Sequence, residues 1–227
     1  LMKNILRILK KDGVFITESH YLVSLMKELQ YDTIYHEHLR YYSLQSLKYL
    51  FDKYGLSIFH AKKIPTHGGS IRVYAAKKGQ YKNFKSVSKI INYEKKFINW
   101  KSFNKFKANV VQSKLRLYKL LDVINQKNHK IYGIGAPSRA STLIHYLGLT
   151  DELIKCVCEV EGSHKIGNYM PGTSIPIVSE KKLYKDKPEY AILLSWHISK
   201  ELIKNLRKKG FRGKFIIPLP KPKVVGK

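Results

Sequence analysis

Four consecutive residues, Tyr35-His36-Glu37-His38, combine a phenol, two imidazoles and a carboxylate. An imidazole titrates near neutral pH, so His38 can take a proton from a carbon beside a carbonyl and hold it as the imidazolium. Glu37 can fix the tautomer of that ring, and Tyr35 can stabilise the enolate oxygen that the step creates. We therefore predict that His38, Tyr35 and Glu37 are catalytic and that the motif performs proton transfer.

A second motif, His67-Gly68-Gly69-Ser70-Ile71-Arg72, lies further along the chain. Its two glycines allow the backbone to approach a ligand closely, and Ser70 and Arg72 can supply hydrogen bonds. Arg72 is also a candidate for stabilising the enolate oxygen. We predict that His36, His67, Gly68, Gly69, Ser70 and Arg72 bind the substrate and that the two motifs form one wall of an active site.

The local geometry of the first motif is open at this point. In an extended chain His36 and His38 share one face and Tyr35 and Glu37 the other, whereas in a helix Tyr35 and His38 come together. Two other interpretations compete with catalysis. His-x-His with Glu37 and His67 could ligate a metal, although we predict none, and the same polar residues could simply satisfy a domain interface.

The elements around the motifs indicate an α/β protein. A helical pattern through Ile5 and Leu9 ends at Gly13 and leads into a strand at residues 14–18. This helix and strand form an α/β unit, and the earlier strands of such a unit are not in the sequence. We therefore expect a C-terminal part of a longer protein. Helices are predicted at residues 22–29 and 44–54, the latter closed by Gly55, with strands at 56–62 and 70–76.

Beyond this module, residues 81–128 alternate Lys and Asn with apolar residues at helical spacing. The pattern predicts one or two long connecting helices whose apolar and aromatic residues, Trp100 and Phe103 among them, pack in a core or between domains. From residue 129 a second module is predicted, with strands at 130–136, 153–160, 190–195 and 214–217 and helices at 180–184 and 200–209. Its sheet should be small and mostly parallel.

The turn at Gly133-Ile134-Gly135-Ala136 follows the first strand of this second module. Such a turn offers backbone N–H groups and a helix N-terminus to a phosphate, and Glu159 or Glu161 could hold a ribose. The alternative is a tight turn that only packs a helix on a strand.

Composition limits the remaining classes. The 227 residues carry a formal net charge of +27, but the lysines are spread along the chain and greatly outnumber the arginines that read bases and phosphates. We predict no nucleic-acid partner, although a basic surface would still attract a nucleotide-linked substrate. No membrane partner is expected, because the chain contains no run of 18 apolar residues, and a cytoplasmic location is predicted. Cys156 and Cys158 share a strand face, fit a reduced compartment and make a poor zinc site.

The two motifs, extended to Asp32-Thr33-Ile34-Tyr35-His36-Glu37-His38 and Tyr41-Tyr42-Ser43-Leu44, resemble the SAM-dependent sugar C-methyltransferase family. The second module resembles the C-terminal domain of that family through the turn at 132–136, the segment 167–177, Ser195-Trp196-His197 and the closing segment 213–220. The resemblance covers nearly the whole chain and is weakest across residues 79–127.

The resemblance implies a transferase of deoxysugar biosynthesis that moves a methyl group from S-adenosyl-L-methionine to a carbon next to the keto group of a nucleotide-linked deoxysugar. It makes His38 the general base, with Tyr35 and Glu37 assisting at the sugar, and the enolate carbon then attacks the methyl group in line. We expect the loop 67–72 and the segment 169–173, with Tyr169, Pro171 and Thr173, to form walls for sugar and nucleotide.

The predicted fold is therefore α/β, in three parts. Residues 1–80 form the C-terminal part of the methyltransferase sheet, 81–128 a helical connector and 129–227 a Rossmann-like domain. The SAM motif and the zinc module of the family are absent from this sequence. SAM should therefore bind mainly to the missing N-terminal part, and zinc should bind only in that part. This chain alone should be inactive. A nucleotide-sugar binding module without transferase activity is the alternative, ahead of a basic nucleic-acid-binding protein.

Overall fold

The computed structural model describes residues 1–226, apart from the side chain of His67. The chain divides into two compact units. Unit 1 consists of Leu1–Gln30 and His38–Lys107, and unit 2 consists of Tyr31–Glu37 and the chain from Ala108 onward. The boundary between the units falls within the predicted connector 81–128, and the division into parts 1–80, 81–128 and 129–227 stays a prediction.

Unit 1 contains a three-stranded antiparallel sheet in the order β1-β3-β2 and four complete helices. Its strands are β1 (Phe15–His20), β2 (Leu56–Ile64) and β3 (Ser70–Lys77), and its helices are α1 (Met2–Ile8), α2 (Leu22–Lys27), α3 (Leu44–Asp52) and α4 (Lys85–Phe97). Strand β3 lies in the middle and runs antiparallel to both neighbours, so β1 and β2 run parallel to each other. The predicted strands are confirmed to within two or three residues.

The core of unit 1 follows from alternation along β3. Ile71, Val73 and Ala75 are fully buried, whereas Arg72 and Tyr74 lie on the other face, as the two-residue period of a strand requires. Helix α3 packs its apolar stripe, with Leu44, Leu47 and Phe51, into the same core.

The N-terminus of α3 is held by a buried carboxylate. Glu94, on α4, has no exposed surface, and its two oxygens accept hydrogen bonds from the backbone N–H of Leu44 (2.7 Å) and of Gln45 (2.9 Å). Ser43 and Ser46 add a capping box at the same end. Burial raises the pKa of Tyr21 far above its ordinary value, and the charge of Glu94 adds to this rise.

Helix α5 (Trp100–Gln126) begins in unit 1 and continues into unit 2. Leu117 and Leu121 are fully buried, as predicted from their spacing. Trp100 is 83% exposed and Phe103 37%, so the prediction that these aromatic residues pack in a core was wrong. Periodicity identifies the face of a helix but not which turns of a long helix have a neighbour.

Unit 2 contains a six-stranded sheet in the order β6-β5-β4-β7-β8-β9, with the first five strands parallel and β9 antiparallel. Its strands are β4 (Ile131–Ile134), β5 (Val157–Glu159), β6 (Ile177–Ser179), β7 (Tyr190–Leu193), β8 (Lys214–Ile217) and β9 (Lys223–Val225), and its own helices are α6 (Ser138–Leu147), α7 (Lys181–Asp186) and α8 (Ser199–Lys208). The prediction of a small, mostly parallel sheet is confirmed, although the three-residue strands β6 and β9 were missed.

Between residues 1 and 226, every helix is too short or too polar to cross a membrane. Both cysteines are free thiols in the core of unit 2. The Cys156 thiol is hydrogen-bonded to that of Cys158, which lowers the pKa of Cys156 and raises the pKa of Cys158. A disulfide between two residues so close along the chain would be strained.

Candidate active site

The segment with the first motif is neither a strand nor a helix, so both alternative geometries for residues 35–38 were wrong. A short 3-10 helix, Tyr31–Thr33, is followed by a turn that contains Tyr35, His36 and Glu37. Within this turn the Tyr35 hydroxyl donates to Glu37 Oε2 at 3.2 Å, and the rings of Tyr35 and His36 meet edge to face. His36 and Glu37 are exposed, so their polar groups are accessible to a ligand.

His38 belongs to unit 1 and is also exposed. Its ring centroid lies 6.2 Å from that of His20 and 6.5 Å from that of Tyr41. His20 is the last residue of β1, and its Nε2 lies 2.9 Å from Oε1 of Gln30. The candidate base is therefore part of a cluster of two histidines and a tyrosine.

Gln30 fixes the orientation of this cluster because it is fully buried and bonded at both ends of its amide. Its Nε2 donates to the backbone oxygen of Gly68 at 2.6 Å, so its Oε1 must be the atom that faces His20. That oxygen can only accept, so His20 donates to it through Nε2. Neither residue was predicted from the sequence, although a polar residue at the carboxyl end of a strand was a usable signal for His20.

The glycine pair of the second motif lies against side chains of unit 1. Gly68 and Gly69 have φ angles of +83° and +119°. A Cβ at Gly68 would lie 2.7 Å from Gln30 Nε2, and a Cβ at Gly69 would lie 2.5 Å from Ser24 Oγ. The two glycines thus let the backbone approach Gln30 and Ser24, which are parts of unit 1 itself, and the close approach to a ligand stays a prediction.

The other members of the second motif are held by neighbours in unit 1. Ser70 is buried and its hydroxyl donates to the Thr66 backbone oxygen at 3.3 Å. Arg72 donates through Nε (2.9 Å) and Nη2 (2.7 Å) to Glu18 Oε2, an ion pair that raises the pKa of Arg72. Thr66 donates to the other Glu18 oxygen. The side chain of His67 lies outside the described residues.

Tyr169, Pro171 and Thr173 come together in unit 2. They line an open cavity of about 580 Å³, together with His145, Thr150 and Ser174. Tyr169 is 61% exposed, so one ring face is accessible, and His145 Nε2 bonds the Pro171 backbone oxygen at 2.7 Å. The volume lies within the range of roughly 300–1,000 Å³ that is usual for small-molecule sites.

The glycine-rich turn of unit 2 is closed by the protein's own side chains. The backbone N–H of Ala136 donates to Glu159 Oε2 at 2.8 Å, and Lys165 Nζ donates to the Ala136 oxygen at 2.7 Å. Glu159 thus bonds the turn, while Glu161 bonds Ser179 and pairs with Lys181. The Ala136 amide of this turn is thus bonded within the chain itself.

No group of three or more His, Cys, Asp and Glu side chains within residues 1–226 is arranged to hold a metal ion. The His-x-His pattern is divided in the fold, because His36 belongs to unit 2 and His38 to unit 1. The motif thus presents two separate pieces of polar chemistry, a Tyr35–Glu37 pair in unit 2 and a His38–His20–Gln30 cluster in unit 1.

Comparison with known proteins identifies the family of the chain. Residues 65–220 match the family described as the C-methyltransferase C-terminal domain. Over 99% of its length the chain is 32% identical to the C-methyltransferase NovU of Streptomyces niveus, and it spans 54% of that protein. The resemblance predicted from the motifs is confirmed: the chain belongs to the C-methyltransferase family, and most of it is the C-terminal domain of that family.

Proposed function

We propose that this chain is the C-terminal part of a SAM-dependent methyltransferase that methylates a carbon next to the keto group of a nucleotide-linked deoxysugar. Family membership supports the reaction class, and the 54% coverage of NovU supports a larger whole. The observation that carries the proposal is the His38 cluster, since it places an exposed imidazole beside an ordered second one.

In this proposal His38 removes the proton from the carbon beside the keto group. The ring is accessible to a substrate, and the neighbouring ring of His20 is held in one orientation by buried Gln30. An ordered neighbour keeps the base from reorienting, which lowers the entropic cost of reaching the transition state. The electron pair of the broken C–H bond moves into the carbonyl group, and the proton stays on the imidazole.

We assign Tyr35 and Glu37 to assistance at the sugar, as the family resemblance implies. Their hydrogen bond pairs a phenol donor with a carboxylate acceptor, and both groups can exchange it for sugar hydroxyl groups. Exposed His36 is assigned to sugar binding. The loop with His67, Gly68, Gly69, Ser70 and Arg72 remains the proposed wall for the sugar, and the fixed Glu18–Arg72 pair supplies its polar surface.

The nucleotide is assigned to the cavity of Tyr169, Pro171 and Thr173. An exposed tyrosine ring can stack on a base, and the hydroxyl groups at the rim can bond a ribose or phosphate. A chain with a net charge of +27 also attracts a diphosphate. We propose that SAM binds mainly to a part of the protein outside these 227 residues, as the family resemblance implies.

Deuterium exchange tests the proposed base without any need for methyl transfer. The probe is a dTDP-linked 4-keto-6-deoxyhexose in D₂O, followed by NMR, with this chain and with the complete protein. We expect exchange at one carbon beside the keto group and a loss of roughly a hundredfold or more in the variant His38→Gln. The matched control is His60→Gln. His60 is a histidine of strand β2 in unit 1 and is bonded to Ser86 of helix α4.

Two results would overturn the assignment. Exchange that survives in His38→Gln would remove His38 as the base. Tight, salt-tolerant binding of the nucleotide sugar with no exchange in either protein would favour the alternative, a binding module without transferase activity. If the protein bound a DNA duplex but no nucleotide sugar, and bound it only at low salt, both interpretations would be rejected in favour of a nucleic-acid-binding protein.

A further inference from the structure

Asp32 is a fully buried carboxylate that accepts three hydrogen bonds from two residues. Its Oδ1 accepts from Arg139 Nη2 at 2.7 Å, and its Oδ2 accepts from Arg139 Nε and from Trp196 Nε1, each at 2.7 Å. The guanidinium group is itself only 8% exposed and lies over the Trp196 ring at 5.1 Å. Such a bidentate pair fixes orientation as well as distance.

The pair lies where parallel sheets bind their ligands. Arg139 is in the first turn of α6, directly after β4, and Trp196 follows β7. These two strands are neighbours at the point where the strand order reverses, since β4 leads outward to β5 and β6 and β7 leads to β8. Ligands of open α/β sheets bind in the crevice at this point, outside the carboxyl ends of the strands. Here the anion in that crevice is Asp32.

The rest of the segment Tyr31–Glu37 lies along the same helix. Ser138 donates to Glu37 Oε1 and Thr142 donates to the Ile34 backbone oxygen, each at 3.3 Å, and the Tyr146 ring packs edge to face on Tyr31. The three helix residues are spaced by four, so they form one face of α6. The segment therefore has a continuous docking surface in addition to its ion pair.

Little room is left in the crevice for another ligand. The Ala136 amide of the glycine-rich turn is bonded to Glu159, so a second carboxylate of the chain is at the position of a phosphate. A cavity beside this turn, lined by Gly135 and Ser195 among others, has a volume of about 210 Å³. That is below the roughly 300–1,000 Å³ of ordinary small-molecule pockets.

We infer that Asp32 is a positioning residue and that unit 2 uses its ligand crevice to hold the segment Tyr31–Glu37 instead of a nucleotide. The segment ends in the Tyr35–Glu37 pair, so the ion pair with Arg139 and Trp196 presents that pair to the substrate in one arrangement. The roles of Tyr35 and Glu37 rest on the function proposed above, whereas the docking of the segment does not.

Hydrogen exchange of the backbone amides tests the docking in the intact chain. The Ile34 amide bonds the Tyr31 oxygen at 3.0 Å and the Tyr35 amide bonds the Thr33 oxygen at 3.1 Å. In Asp32→Asn we expect both to exchange at least about tenfold faster, while amides of β4 and β7 keep their protection. The control Asp122→Asn removes a carboxylate bonded to Gln126 on α5 in the same unit and should change neither set.

Two further variants keep the inference falsifiable if Asp32→Asn loosens the whole unit. Trp196→Phe removes one donor and leaves the ion pair, and we expect exchange at Ile34 to rise about threefold or more. Asp32→Glu keeps the charge and should restore part of the protection that Asp32→Asn loses. Unchanged exchange at Ile34 in both Asp32→Asn and Trp196→Phe would overturn the docking.

Kinetics of the complete protein separate positioning from mere stabilisation. In Trp196→Phe and Asp32→Glu we expect kcat to fall about tenfold or more, with KM for the nucleotide sugar changed less than about twofold, because displaced catalytic groups slow the reaction of substrate that is still bound. Faster amide exchange with a normal kcat would refute the positioning role. A failure of the function itself would appear separately, as His38-independent exchange of deuterium into the sugar.

Discussion

The substitution Gly68→Ala tests whether the glycine pair orders the His38 cluster. The φ angle of Gly68 is +83°, and an L residue in the left-handed region costs roughly 1–2 kcal/mol. The added Cβ would also lie 2.7 Å from Gln30 Nε2, so Gln30 must move and give up its bonds to His20 and to the Gly68 oxygen. Two net hydrogen bonds add roughly 1–3 kcal/mol, for a total of roughly 2–5 kcal/mol.

Gly55→Ala is the matched control. Gly55 has a φ angle of +71°, but nothing lies within 4 Å of the position of its Cβ. The cost should therefore be the backbone term alone, roughly 1–2 kcal/mol. The difference between the two variants isolates the collision with Gln30. In the background of Gln30→Ala, the added cost of Gly68→Ala should fall to the value of the control, because the colliding amide is gone.

Native-state hydrogen exchange of the β3 amides measures these costs in unit 1 alone. Strand β3 lies between two strands, so its slowest amides report the opening of the whole sheet. A difference of roughly 1–3 kcal/mol corresponds to exchange about 5–150 times faster in Gly68→Ala than in Gly55→Ala. Equal rates in the two variants, or no coupling with Gln30→Ala, would refute the conclusion that a glycine is needed at position 68 to admit Gln30.

Three further predictions concern one charge or ring each. Glu94→Gln leaves one α3 amide facing an NH₂ group, so the urea midpoint of unit 1 should drop by the equivalent of about 2 kcal/mol, and an unchanged midpoint would reject the cap. Tyr169→Ala should weaken dTDP binding about tenfold by calorimetry, and Tyr49→Ala, an equally exposed tyrosine of unit 1, should not. The hydrogen bond from Lys182 lowers the pKa of Asp186 below its value in the unfolded chain. The ionised Asp186 carboxylate therefore stabilises the folded state above about pH 4, and this stabilisation is lost as the pH falls. Asp186→Asn should therefore lose less stability than the parent between pH 7 and pH 3, and equal losses would contradict this.

Much of the fold of unit 1 was predictable because its signals are local. The stop at Gly55 has the left-handed φ that a helix terminus favours, and the alternation along β3 matches its two faces. The missed strands β6 and β9 have three residues each, which is too short for a period to develop. The exposure of Trp100 depends on what lies beside the first turn of α5, which local spacing does not record.

The candidate site was predictable in its residue types and not in its partners. The motif 35–38 and the motif 67–72 carry the family signature, and both belong to regions of polar chemistry in the structure. His20 and Gln30 were missed, because each is a single polar residue in an ordinary segment. Only the fold shows that Gln30 bonds His20 and the oxygen of Gly68, which is 38 residues away along the chain.

From its residues alone, the sequence determines an α/β protein, a family of C-methyltransferases and a histidine suited to proton transfer, because these depend on periodicity and on adjacent side chains. Tertiary structure decides which charges neutralise each other. Asp32 and Arg139 lie 107 residues apart in sequence, and no local pattern links them. A buried charge is stable only when the fold brings a counter-charge within hydrogen-bond distance. In unit 2 Arg139 and Trp196 bond Asp32 and so hold the segment that ends in Tyr35 and Glu37.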